Sequence, residues 1–254
     1  MIVQLATHTS LARTDVKEQL EAAFWQAYMP SDDKLSDQTL TLTCVGLWVP
    51  AVRYLAAQNS TTRLALDSCA LMALGRERGD SDHIRQGMVA YGLPLRATNA
   101  ALQHPRSARA LDTLATCHLL GLCEKYREHE DASLSTQGTD YQMHVQGTAK
   151  LLEIRGPEAH VEANEFALFA NARSSIALSG ITRRRKALLS DRQWLEVPWS
   201  YPHRKRTLRT RLVDASLAVA SVLELQDSCL PRSPPGNANS HRRCATLWQS
   251  SASR

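Results

Sequence analysis

Gly79-Asp80-Ser81-Asp82-His83 gathers the serine, histidine and carboxylate types of a nucleophilic triad. A triad works by converging those groups from separate elements, whereas adjacent residues project in divergent directions. The same stretch suits a helix cap, an Asp or Ser placed just ahead of a helical run. Asp140 and His144 stand at i and i+4 and can share one helix face, the geometry of half a metal site. Glu128-His129-Glu130-Asp131 could add ligands, but at a helix end such a run also reads as a solvated polar turn. Cys117 and Cys123 lie roughly 600° apart around a helix, so they face different ways and read as packing residues. There is no GxxxxGKS/T phosphate loop, no GxGxxG, no GxSxG and no HExxH. Since no acid, base or nucleophile set assembles from spacing, the chain is expected to be no enzyme and to carry no cofactor and no metal.

Charge is the most concentrated signal. Residues 1–182 carry a net charge of −4, residues 183–211 hold ten basic and two acidic groups for +8, and residues 212–254 are near balance at +1. The excess lies in Arg183-Arg184-Arg185-Lys186 and Arg204-Lys205-Arg206, extended by Arg209 and Arg211. Two such clusters suit recognition by a nuclear import receptor, weak and non-specific contact with nucleic acid phosphates, or a solvated helix face.

The elements that must position these residues are helical. The 254 residues are 43% hydrophobic but only 6% aromatic, with scarce glycine and abundant Ala and Leu, which points away from a turn-rich β fold. The longest apolar stretch, Leu42 to Val52, falls short of the roughly 18 residues a spanning helix needs, and the N-terminus makes a poor signal peptide. An intracellular protein is expected; six dispersed cysteines without a CxxC pair then suggest core thiols, and the Asn59-Ser60-Thr61 sequon carries no weight. Apolar residues recur three and four apart through about residue 180. A first helix is expected over Thr14 to Met29 with Leu20, Phe24 and Ala27 on one face. Pro50 should break or kink the apolar segment between Thr41 and Ala57, and Gly75 should stop a helix that starts at Thr61. A helix capped by Asp80-Ser81-Asp82 and interrupted at Pro94 should run to Ala101. Further helices are expected over residues 106–127, 139–154, 162–178 and 208–225, the second ending at Gly156-Pro157. The expected fold is an all-α array of antiparallel helices. Its parts are residues 1–40 as N-terminal helix and acidic linker, 41–200 as the main helical domain, 201–227 as basic segment and last helix, and 228–254 as a disordered tail.

One segment carries a family pattern. Tyr141-Gln-Met-His144-Val-Gln-Gly147-Thr-Ala-Lys-Leu151-Leu152-Glu-Ile-Arg155-Gly156-Pro157 resembles the Y-x-x-H-x-x-G-x-x-x-L-L-x-x-R-G-P segment in the large helical domain of fungal zinc-binuclear-cluster transcription factors. The surroundings follow in order: Leu66 to Arg76 before Tyr91, Leu119-Leu120 with Glu124, Leu168-Phe169 with Arg173, and Trp194-Leu-Glu-Val-Pro198-Trp199. The resemblance covers about residues 45–200 and implies structural rather than catalytic roles, with His144 and Gly147 facing neighbouring helices. Family members typically carry an N-terminal cysteine cluster beginning C-x2-C-x6-C that binds zinc and reads DNA, which this chain lacks, and the part after Trp199 departs from the family.

The resemblance implies the regulatory domain of a transcription factor without its DNA reader. Such a protein would act in the nucleus through other transcription regulators, in the context of secondary-metabolite gene clusters. The alternatives are a cytosolic helical module that binds a partner or a small apolar molecule, in a pocket that Trp48, Phe166 and Phe169 could line, and an inactive truncated regulator.

Overall fold

The structure is a computed structural model and describes residues 18–29, 48–127, 137–200, 204 and 206–229. Every regular element among the described residues is helical, as the apolar periodicity predicts. Residues 18–28 form α1, followed by α2 (Trp48–Gln58), α3 (Ser60–Arg78), α4 (Ser81–Leu102), the single turn α5 (Pro105–Ala108) and α6 (Leu111–Arg127). The chain continues through α7 (Gln137–Arg155), α8 (Ala163–Arg183), the short α9 (Arg192–Glu196) and α10 (Leu208–Cys229). Short 3-10 turns at Pro157–His160, Leu188–Ser190 and Val197–Trp199 join the later helices. No helix among the described residues is long and apolar enough to cross a membrane. The segments around Thr14, 128–131 and 230–254, together with Lys205, lie outside the described residues.

α6 sits at the centre. Thr113 to Cys117, Leu119 to Gly121, Cys123 and Glu124 are all buried, so it has almost no solvent face, and it packs on α3, α4 and α7. α8 carries α10 on its outer side, where Leu217 and Ala220 are buried and a Cβ added to Gly180 would lie 3.1 Å from that of Ala220. The last helix is therefore packed onto the same bundle. α1 docks through Phe24 and Trp25, which meet Tyr28 and Trp48 in a cluster of rings. The Glu21 carboxylate fastens it, accepting from Trp25 Nε1 at 3.2 Å, Arg53 Nε at 3.0 Å and an Arg63 guanidinium nitrogen at 2.7 Å. Ala27, expected on the buried face, is exposed; the buried stripe turns through Glu21, Phe24 and Trp25 instead.

Three expected helix breaks are displaced. α3 runs past Gly75 to Gly79, whose φ of 65° is the left-handed conformation that glycine adopts without strain. Gly75 serves close approach instead, because a Cβ there would lie 2.8 Å from the Ile84 amide nitrogen across the α3–α4 turn. Asp80 caps α4 by accepting from the Asp82 and His83 amides, both at 3.0 Å, so the triad-like stretch is a helix start. Pro94 lies inside a continuous α4, buried between Tyr91 and Leu95, which pack on the core. That packing outweighs the roughly 3 kcal/mol a proline costs within a helix. Pro50 falls in the first turn of α2, where amide hydrogens have no intrahelical acceptor and a missing one costs nothing.

Candidate functional site

The basic clusters are drawn onto carboxylates. The Arg184 guanidinium reaches both oxygens of Asp227 on α10, with its shortest contact at 2.7 Å, and Arg185 meets Glu224 at 3.4 Å. Lys186 Nζ lies 2.7 Å from Asp191, and Arg206 lies 3.0 Å from Asp214. The Arg204 guanidinium sits 3.8 Å from the centre of the Phe166 ring and donates to the Pro198 carbonyl at 2.9 Å. Arg183 is exposed at the end of α8. Sequence counting missed this because the acidic partners come from 39 and 43 residues away or are single carboxylates five and eight residues on.

The family-motif residues occupy the joints between helices. His144 on α7 crosses α6 at Gly121, where an added Cβ would come 3.1 Å from that of His144, and Gly147 faces Cys117, with Sγ at 3.5 Å from such a position. The Tyr91 hydroxyl donates to Glu124 Oε1 at 2.5 Å and lies 3.0 Å from His144 Nε2, so that nitrogen carries the proton and donates to the phenol. Arg127 bridges Glu124 at 2.8 Å and Asp140 at 2.5 Å. Burial, with the Glu124 carboxylate, raises the Tyr91 phenol, and burial lowers the His144 imidazole, so both stay neutral at pH 7. Asp140 and His144 are thus committed to separate partners, and no group of three or more His, Cys, Asp or Glu among the described residues could hold a metal ion. The cavity beside Tyr91, Glu124 and Arg127 is about 50 Å³, room for a water molecule rather than a substrate.

Arg155 donates to the Arg109 carbonyl, Gly156 turns with φ of 80°, and Pro157 opens the next 3-10 turn. Tyr141 lies under Lys125, whose ammonium is 4.6 Å from the ring centre. Trp194 is buried against Phe169 at 5.9 Å and His160 at 5.8 Å, and Trp199 meets Phe166 edge-on at 4.8 Å, with Pro198 buried between them in sequence. Burial pushes the His160 imidazole down to about 4, with the Arg155 charge acting in the same sense.

A cleft of about 270 Å³ opens between α6, α7 and α8. Tyr28, Trp48 and Tyr141 give it aromatic walls, while Lys125 on α6 and Arg209 on α10 bring two cations. Ser174 and Ser175 on α8 also line it, and Arg209 donates to the Ser174 hydroxyl at 3.2 Å. The Asn171 side-chain amide donates to His118 Nε2 at 2.7 Å, which places the imidazole proton on Nδ1, where it finds no acceptor. Burial and the nearby Lys125 charge hold His118 down at about 4, and burial raises the Tyr28 phenol to about 12. No carboxylate lines the cleft among the described residues. The arrangement offers flat apolar walls with an excess of donors. Of the three rings expected around a pocket, Trp48 lines this cleft, whereas Phe166 and Phe169 belong to the Trp194–Trp199 cluster. His118, Lys125, Asn171 and Arg209 come from three helices, and no spacing in the sequence marks them as a set.

No family model matches the sequence, and no solved structure matches it. The chain is similar to a protein of Emericella nidulans named as uncharacterized protein AN5342, 24% identical over 140 residues. That stretch is 55% of this chain and 28% of the relative, so the chain spans little more than a quarter of the protein it matches.

Proposed function

We propose that this chain is the helical regulatory body of a transcription regulator resembling the fungal zinc-binuclear-cluster type. It acts in the nucleus through contacts with other regulators, on genes such as those of a secondary-metabolite cluster, and performs no chemistry of its own. The observation that supports this reading is the placement of the motif residues. His144 and Gly147 seat α7 on α6, and Trp194 and Trp199 seat the final turns on α8, as residues shared for a common architecture would. Import would read Arg183 to Lys186 and Arg204 to Arg206, in competition with Asp227, Glu224, Asp191 and Asp214. The test is the distribution of a fluorescent fusion in cells. Nuclear accumulation is expected for the intact chain, loss of it when both clusters become alanine, and retention when Arg184, Arg204 and Arg206 become lysine, which keeps the charge but not the guanidinium geometry. A cytosolic intact chain overturns the reading.

The cleft favours a second reading, a module that binds a small molecule, alone or as the sensing part of such a regulator. Thermal stabilisation of the purified chain by cleft ligands, unaffected by where it resides in the cell, tests it.

A further inference from the structure

We propose that the cleft between α6, α7 and α8 is a binding site for a small planar aromatic carboxylate. The inference rests on the second reading above and adds the chemical class of the ligand. Its first ground is the balance of polar groups. Lys125 and Arg209 each bring a full positive charge, and no carboxylate lines the opening among the described residues. A carboxylate supplies two acceptor oxygens and one negative charge, which answers two cations that line the opening with no counter-charge among the lining residues. Its second ground is shape. Tyr28, Trp48 and Tyr141 provide ring surfaces, and the Lys125 ammonium already lies over the Tyr141 face, so a flat ring fits between walls that are themselves flat. Its third ground is size. About 270 Å³ falls just below the ~300–1,000 Å³ range of ligand pockets, which suits one or two fused rings rather than a nucleotide or an acyl chain.

Other features carry less. The Tyr91–Glu124–His144 cluster surrounds a space for water alone, and nothing on the exposed apolar side chains of α10, Leu212 and Val219 among them, shows what would cover them.

The experiment uses the full chain and three probes, benzoate, 1-naphthoate and indole-3-acetate, each paired with its neutral alcohol. Binding is read by titration calorimetry and by tryptophan fluorescence, since Trp48 lines the cleft. At least one acid is expected to bind at least about tenfold more tightly than its alcohol, the worth of one charge-assisted contact. Lys125→Met and Arg209→Gln should each weaken the acid by about tenfold and leave the alcohol unchanged, while Arg192→Gln, remote from the cleft, should change neither. Lys125 is exposed, so Lys125→Met remains decisive if Arg209→Gln fails to fold. Equal binding of acids and alcohols overturns the carboxylate but leaves the ligand-binding reading standing. No binding of any probe, or acid binding indifferent to both variants, overturns both the ligand class and the site.

Discussion

Asp214 holds two arginines at once, and replacing it by alanine tests how α10 is fastened to the bundle. Its Oδ1 pairs with the Arg173 guanidinium, a side chain only 2% exposed on α8, and its Oδ2 lies 3.0 Å from Arg206. Removing one member of a buried ion pair costs about 3–5 kcal/mol, because a desolvated charge loses its counter-charge. Asp214 is 20% exposed, and Arg173 keeps the faces of Phe169 and Trp199 at 5.7 and 5.5 Å, so the expected loss falls at or just below that range, about 2–3 kcal/mol. For a chain of this size that lowers Tm by about 4–12 °C. Urea unfolding followed by circular dichroism gives the stability, and the slope of the transition shows whether the native state stays compact. The double variant Arg173→Met with Asp214→Leu removes both charges and should recover at least half of the loss. A single variant within 0.5 kcal/mol of the parent, roughly the scatter of surface substitutions, or a double variant as unstable as the two single losses added, refutes the buried-pair account.

Gly87→Ala should destabilise the protein by about 1–3 kcal/mol despite the better helix propensity of alanine, because the new Cβ would lie 2.4 Å from Met72 Cγ and 3.0 Å from the Ser68 carbonyl oxygen; the urea midpoint measures it. His118 and His160 are both held down at about 4, below the ordinary 6.5, so between those values the unfolded chain binds more protons and stability falls as pH drops. The slope should approach about 1.4 kcal/mol per pH unit for each of these two histidines, and His160→Phe should reduce it by about that amount; an unchanged slope in that variant refutes the assignment. Among the four described cysteines, Cys229 is exposed while Cys69, Cys117 and Cys123 are buried, and burial raises the Cys69 and Cys117 thiols. Timed alkylation read by mass spectrometry should therefore label Cys229 first and reach the other three only in denaturant.

How far the sequence could be read depended on how local the physics was. The Asp80 cap was legible because its carboxylate bonds amides two and three residues on, and the Gly156-Pro157 stop because a left-handed glycine acts on its own turn. Gly75 and Pro94 misled for the opposite reason. Each breaks a helix by intrinsic preference, and each is overridden by packing, Gly75 against the start of α4 and the buried Pro94 within a helix packed on α3 and α6. The triad-like and metal-like sets dissolved likewise, since Asp140 found Arg127 and His144 found Tyr91, 53 residues away.

The helical class, the positions of most helices and the concentration of positive charge were determined by the sequence alone, because apolar period, capping and composition act within a turn or two of the residues that carry them. Only the tertiary structure decided that Arg184, Arg185 and Arg206 pair with the acidic groups of α10, and that His118, Lys125, Asn171 and Arg209 meet around one cleft. Ion pairs and cavities depend on distances between helices, and those distances are set by how the helices pack, not by the order of residues within any one of them.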